Sequence, residues 1–383
     1  IFNFTNRMDK KYRIGIDVRD LKKARTGTFT YLNEIVKSFS KMQNTDTEII
    51  LLNYPFNVYT GKNYLLKIAE HLLFFIWKQL ALPLLCIHHK CNVLFCTDYF
   101  LPLIKFKTKY YSVFHDCFFF DHPQYYNPIW LASFKTIGMG AAKKADGIIV
   151  PSVYVKNRLA AIKPSLQNKI TVVYEGHADF SSLNEQPLSA TEWNLISGFI
   201  NNRKYILYVG TLDKRKNLER LIQAFQKVLN TNHQACLVIA GSSPAYKRSD
   251  QSKKLKNILH EKQLQHYILL TGRVQQLTLK KLYEHASLLV QPSTDEGFGL
   301  PIVEAMHFEL PFAAANNTAM PEIGGNAGMY FDPYNIDAMA DVITALLENN
   351  TLKKELIQHT KMIESRYQWD LAARQILDIF ISK

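Results

Sequence analysis

Cysteine is scarce in this chain, and the few present follow no metal-binding or disulfide pattern. Cys86, Cys91, Cys96, Cys117 and Cys236 are odd in number and sit in apolar surroundings. They read as buried free thiols of a protein kept in a reducing cytoplasm. Acidic residues are also short, with 33 Asp and Glu against 46 Lys and Arg and a formal net charge of +13. The imbalance lies in the first half, where residues 1–190 hold 24 Lys and Arg against 14 Asp and Glu. Such a surface suits an anionic partner: membrane lipid, a phosphorylated carrier or nucleic acid. No recognition motif accompanies the dispersed basic residues, so nucleic acid is the poorest of the three. No Gly-x-Gly-x-x-Gly is present, which argues against a nicotinamide or flavin dehydrogenase. No Asp-x-Asp pair stands at a strand end and no His/Cys cluster is visible, so neither a metal nor another cofactor is expected.

Long apolar runs are missing too. The most membrane-like stretch, Tyr64 to His88, is interrupted by Lys67, Glu70, His71, Lys78 and Gln79, so it does not read as a spanning helix. It reads either as a core-facing helix pair or as a helix with one face on a membrane surface. The opening Ile1 to Arg7 ahead of Met8 resembles a cloning remnant, not a signal peptide, and is set aside.

What is present is a chain of 383 residues, 47% hydrophobic and 21% charged, long enough for two globular domains. Arg13–Val18, Glu48–Asn53, Cys91–Cys96 and Lys109–Phe114 read as short buried strands, and a helix is expected from about Tyr31 to Met42. The fourth of these strands ends at His115-Asp116, where residues line the crevice of an open α/β sheet. His122 lacks such a setting and reads as structural. Lys169–His177 reads as the last strand of the first domain. From about Phe180 to Arg203, clusters of Ser, Asn, Pro and Gln suggest a linker. Strands then restart at Tyr205–Gly210, Ala235–Gly241 and Ile268–Val274. The expected organisation is an α/β fold of two Rossmann-like domains facing a cleft. Its units are residues 1–180, a linker 181–203, a second domain 204–362, and a final helix 363–383 packing back on the first domain.

The stretch that organises the second half is Glu296-Gly297-Phe298-Gly299-Leu300-Pro301-Ile302-Val303-Glu304. It follows an apolar strand, and its two glycines leave backbone N–H groups uncovered at the start of a helix with Pro301 in the first turn. Such a turn suits a phosphate. Glu296 and Glu304 bracket it, and carboxylates beside an anion site are good acceptors for sugar hydroxyls. The element reads as a holder for a nucleotide sugar. Lys214-Arg215-Lys216 follows a strand and a glycine at the crevice edge, where cations would neutralise a diphosphate.

Two glutamates with seven residues between them, beginning Gly-Phe-Gly-Leu-Pro, closely resemble the signature of the family 4 retaining glycosyltransferases. That resemblance implies a GT-B fold, in which the first domain binds the acceptor and the second binds a nucleotide-diphosphate sugar. It implies a hexosyltransferase acting without metal, with His115, Glu296, Lys216 and Arg215 as the catalytic group. The donor would lie on Gly27, Arg273, Val274, Gly297, Phe298, Gly299, Leu300 and Glu304. Asn316–Glu322 resembles the family's loop behind the donor pocket. Where the family usually carries Thr-Gly-x-Gly near the start of the chain, Gly27 matches the first glycine and Phe29 replaces the second. This departure either reshapes the acceptor side or weakens catalysis. The expected role is transfer to a glycan or lipid-linked acceptor in cell-surface polysaccharide or lipopolysaccharide synthesis. The expected place is the cytoplasm at the inner face of the cell membrane, as a peripheral protein touching anionic lipid. A silent nucleotide-sugar-binding scaffold and a nucleotide-sugar epimerase are the competing readings.

Overall fold

The structure, a computed structural model, describes residues 11–22, 27–42, 46–61, 63–180, 190–244 and 249–382. Residues 1–7, residues 23–26 just before Gly27, and residues 181–189 of the expected linker lie outside them.

Short, continuously apolar strands flanked by helices on both faces are the pattern of parallel sheets. The chain forms two of them. The first is built from β1 (Tyr12–Asp17), β2 (Thr47–Leu52), β3 (Val93–Cys96), β4 (Lys109–Val113), β5 (Gly147–Val150) and β6 (Ile170–Val172). The second comprises β7 (Tyr205–Val209), β8 (Cys236–Ala240), β9 (Ile268–Gly272), β10 (Leu288–Gln291), β11 (Phe312–Ala315) and β12 (Met329–Phe331). The strand orders are β2-β1-β3-β4-β5-β6 and β12-β11-β10-β7-β8-β9. The chain therefore reverses direction across each sheet between β1 and β3, and between β7 and β10. Strand ends at such reversals leave a crevice that neighbouring loops cannot fill.

The main helices are α1 (Gly27–Lys41), α2, α3 (Ala190–Ile200), α4 (Leu218–Thr231), α5 (Gln276–His285), α6 (Leu300–His307), α7 (Ile336–Glu348), α8 (Asn350–Ile363) and α9 (Trp369–Ser382). The segment α2 consists of Tyr64–Ile76, a π turn Trp77–Ala81 and Leu82–His88, which run on without a break. It is thus one helix and not a pair. Over Leu65–His88 it is long and apolar enough to cross a membrane by length and composition. Its inward face is nevertheless tied to the first sheet. The Lys78 ammonium lies 2.6 Å from both Asp17 and Asp98, and Arg19 pairs with Glu70.

Side chains alternate across the first sheet. Val93 and Phe95 pack with Tyr31, Ile35 and Phe39 of α1, while Leu94 and Cys96 pack with Trp77, Leu82 and Cys86 of α2. The last helix α9 crosses back to the first domain, placing Trp369, Ile376 and Phe380 in the α1-side core. Tyr12 Oη donates to the Phe380 carbonyl at 2.6 Å, and Ser38 to Asp370 at 2.6 Å.

Two expectations change. A helix, α3, occupies residues 190–200 of the expected linker, and its Ile196 packs into the core of the second domain. Helix α1 begins at Gly27, four residues ahead of the expected start, so Phe29 lies in its first turn, half-buried. All five cysteines are free and buried.

Candidate active site

The end of β7 leads into Asp213 and a single 3-10 turn, Lys214–Lys216. Asp213 caps that turn by accepting from the Arg215 N–H at 3.1 Å. Asn217 leaves it in the left-handed conformation (φ 59°) and donates to the carbonyls of Pro292 and Pro333 at 3.0 and 2.7 Å. The basic turn is thereby clamped to the loop that follows β10, across the reversal between β7 and β10.

On that loop Glu296 is buried and receives three donors. The Lys216 ammonium pairs with it, Ser293 Oγ donates at 2.9 Å, and Arg215 Nη1 lies 3.4 Å away. Burial alone would raise the carboxyl's pKa, but Lys216 and then Arg215 outweigh it and hold it below the usual range. Lys216 is drawn below the ordinary lysine value, because burial and the neighbouring Arg215 outweigh the carboxylates of Glu296 and Asp213. Arg215 also donates to the Asp295 carbonyl at 3.1 Å and stacks over Phe118 of the first domain, 4.2 Å from the ring centre.

The glycine turn meets the first domain directly. Ser152 Oγ donates to the Gly297 carbonyl at 2.7 Å. A Cβ on Gly297 would sit 2.0 Å from the His115 carbonyl oxygen, so only glycine permits this approach. Gly299 adopts φ 108° and starts α6. Gly27, at the start of α1, faces Leu300, whose Cδ1 lies 3.6 Å from where a Cβ would be. The structure therefore brings His115, Arg215, Lys216, Glu296, Gly297, Gly299, Leu300 and Gly27 to one seam.

His115 is held from both ring nitrogens: Nε2 lies 2.8 Å from the Thr97 carbonyl and Nδ1 3.5 Å from Glu175. Burial pulls its pKa down, but Glu175 and that carbonyl outweigh burial and raise it. Tyr31 packs edge-on at 4.9 Å. Glu304 is buried under a hydrogen bond from Tyr283 Oη at 2.6 Å, and burial pushes its carboxyl up to about 7.

Other expected residues are placed differently. The Phe298 ring turns inward against Tyr174 and Tyr367, so its side chain is packing, and only its backbone can face a ligand. Arg273 is exposed and Val274 half-buried just past β9, the edge strand two positions beyond β7, apart from the Glu296 group. His122, read as structural, lies 3.3 Å from Asp295 at the same seam. Asp295, raised to about 7 by burial and by Asp116, escaped the sequence reading although it adjoins Glu296. Glu175 and Tyr283 escaped it too, since nothing local marks a partner across the fold. Among the described residues, two clusters have ligand atoms close enough to share a metal: His177, His307 and Glu364, and Asp17, Cys96 and Asp98. The first includes none of the seam residues, and the second already surrounds the Lys78 ammonium.

Residues 190–363 match the family model for glycosyl transferases group 1. The O-antigen chain mannosyltransferase B of Escherichia coli is 30% identical over 177 residues, 46% of this chain and 45% of that protein. An uncharacterized glycosyltransferase of Methanocaldococcus jannaschii is 28% identical over 237 residues, 61% of this chain and 59% of its own length. The chain thus spans about half the length of these curated relatives. The crystal structure of Anabaena HepE in complex with UDP-glucose superposes with a TM-score of 0.71 at 16% identity, covering 97% of this chain and 100% of that one. This last likeness shows the fold alone, two parallel-sheet α/β domains of the GT-B type.

Proposed function

We propose that the chain is a retaining, metal-independent hexosyltransferase of family 4. It would move a sugar from a nucleotide-diphosphate donor to a glycan or lipid-linked saccharide during cell-surface polysaccharide synthesis. The observation that carries this reading is the buried pairing of two cations, Arg215 and Lys216, with one carboxylate, Glu296, at the sheet reversal beside a glycine turn. An arriving diphosphate competes with Glu296 for both cations. It is the more highly charged anion, and it releases Glu296 to accept a sugar hydroxyl and orient the ring. As the anomeric C–O bond breaks, charge grows on the leaving phosphate, where Lys216, Arg215 and the N–H groups of the glycine turn stabilise it. The acceptor oxygen bonds to the anomeric carbon from the same face, and its proton passes to the leaving phosphate oxygen. Glu304 holds the ribose hydroxyls, and His115 touches the sugar near the reacting carbon. The names of the Escherichia coli relative and of the UDP-glucose complex support this choice of substrates. The proposed setting is the cytoplasm, at the inner face of the membrane.

The test is a thermal-shift panel of UDP, GDP, dTDP, ADP and CMP on the wild type, Lys216→Ala and Glu304→Ala, since native-state ligands raise the melting temperature. One nucleotide stabilising the wild type and neither variant supports the reading. No shift with any of them overturns it. Phe29 in the first turn of α1 favours a second reading, a silent nucleotide-sugar binder. Sugar transfer that disappears in Glu296→Ala while nucleotide binding persists excludes it.

A further inference from the structure

Helix α2 carries a row of large apolar side chains on its solvent side. Leu65, Ile68, Leu72, Ile76, Leu80 and Leu84 are all exposed, from 41% at Ile76 to 73% at Leu65. Steps of four residues creep around an α-helix, and the wider π turn Trp77–Ala81 takes out that creep, keeping the row on one side. The helix cannot roll to hide it. Glu70 and Lys78 on the opposite face are held by Arg19, Asp17 and Asp98, and Trp77 Nε1 donates to Asp17 at 3.0 Å. A second apolar element adjoins the row. Gln79 of α2 accepts from the Leu103 N–H at 2.8 Å, laying the exposed Ile104 and Phe106 beside the helix.

Along the stretch that carries this face, the exposed charge has one sign. Between Ile49 and His115 the only acids are Glu70 and Asp98, and each is paired with a cation of the domain interior. Lys67, Lys90 and Lys107 are exposed on the same stretch, while Lys105 pairs with Asp146. An apolar strip whose own stretch carries exposed cations and no exposed acid fits the interfacial zone of an anionic bilayer. A second copy of the chain would set lysines against lysines. A spanning insertion would have to break the buried pairs of Glu70 and Lys78.

We infer that α2 and the Ile104–Lys107 loop dock this protein on an anionic lipid surface, with the helix lying in the plane of the interface. Docking stands independently of the transferase reading, but its consequence for substrate rests on it. The Asn63 end of α2 follows the carboxyl end of β2, on the crevice side of the sheet. The bilayer then reaches the mouth of the cleft, and the acceptor is a saccharide carried on a lipid of that same membrane.

Co-sedimentation of the full chain with phosphatidylcholine vesicles, with and without phosphatidylglycerol, tests this, with size-exclusion run alongside. The wild type should stay monomeric and bind only the anionic vesicles, losing affinity as salt rises. Leu72→Glu/Leu80→Glu should weaken binding more than about tenfold. Lys67→Glu/Lys107→Glu should do so by about tenfold or more on phosphatidylglycerol vesicles. All four positions are exposed, so melting temperatures and any nucleotide-induced shift should match the wild type, which separates failure of docking from failure of the transferase reading. Four results overturn the inference: no vesicle binding, equal binding by the variants, release only by detergent, or a wild-type dimer that Leu72→Glu/Leu80→Glu splits.

Discussion

The two sheets reverse direction in the same way, yet their reversal points hold opposite electrostatic situations. Between β1 and β3, one ammonium, Lys78, lies between two carboxylates, Asp17 and Asp98, both at 2.6 Å. Between β7 and β10, one carboxylate, Glu296, is shared by two cations, Lys216 and Arg215. Burial pulls both lysines downward, but they end on opposite sides of the ordinary value. Asp17 and Asp98 raise Lys78 well above it, whereas Lys216 stays below, with Arg215 adding to burial. The first crevice is plugged by a side chain of the domain's own helix and is satisfied. The second sets two buried cations, held by loop carboxylates, beside a glycine turn, where an arriving anion can compete for them. One architecture thus yields a structural plug in one half and a candidate ligand site in the other, and the first domain reaches the site through the end of β4 instead.

The comparison breaks most visibly if Lys78→Met is tolerated. Leaving Asp17 and Asp98 buried without their cation should cost about 3–5 kcal/mol in guanidinium unfolding. Unchanged stability with lost sugar transfer would show that the first crevice is a ligand site as well. In Lys216→Met, Glu296 keeps Arg215 and Ser293, so unfolding should change little. Transfer should fall by about 10²–10³-fold in kcat, as for loss of one preorganised charge donor. Gly297→Ala tests the seam itself. Its methyl would displace the His115 carbonyl, and a misplacement of about 1 Å should cost up to about a hundredfold in rate with the fold retained.

The smallest effect sharpens the contrast through pH. Burial sets Glu304 at about 7, above the ordinary value of 4.5. The folded chain then binds more protons than the unfolded one between those values, so this carboxyl's contribution to stability is present below about 4.5 and lost as pH rises through about 7. Glu304→Gln should match the wild type at pH 4 and exceed it at pH 8 by up to about 3 kcal/mol in urea unfolding without nucleotide.

Much of this was readable beforehand where the signal is local. The apolar runs of β1 to β4 and β7 to β10, the glycine turn and the basic triplet were each legible in a few consecutive residues. Strand β11, Phe312–Ala315, was not, because a run of alanines carries no strand preference. Helix α3 hid behind the polar cluster before it, and the first turn of α1 behind Gly27 and Thr28, which are poor helix formers. At the site, Glu296, Arg215 and Lys216 were named together, but Glu175 behind His115 and Tyr283 over Glu304 were not. Each is joined to its partner only by the fold.

By itself the sequence determined two series of buried strands and helices, a glycine turn able to open a helix, and the cations that follow β7. Periodicity and turn chemistry are written into neighbouring residues, so they need no knowledge of what lies elsewhere. Tertiary structure alone decided which of those charges are satisfied. Lys78 meets Asp17 across 61 positions and Lys216 meets Glu296 across 80, and only strand order brings either pair together. In a buried setting the sign and number of such partners, more than the residue type, separate a structural lysine from one that can receive a ligand.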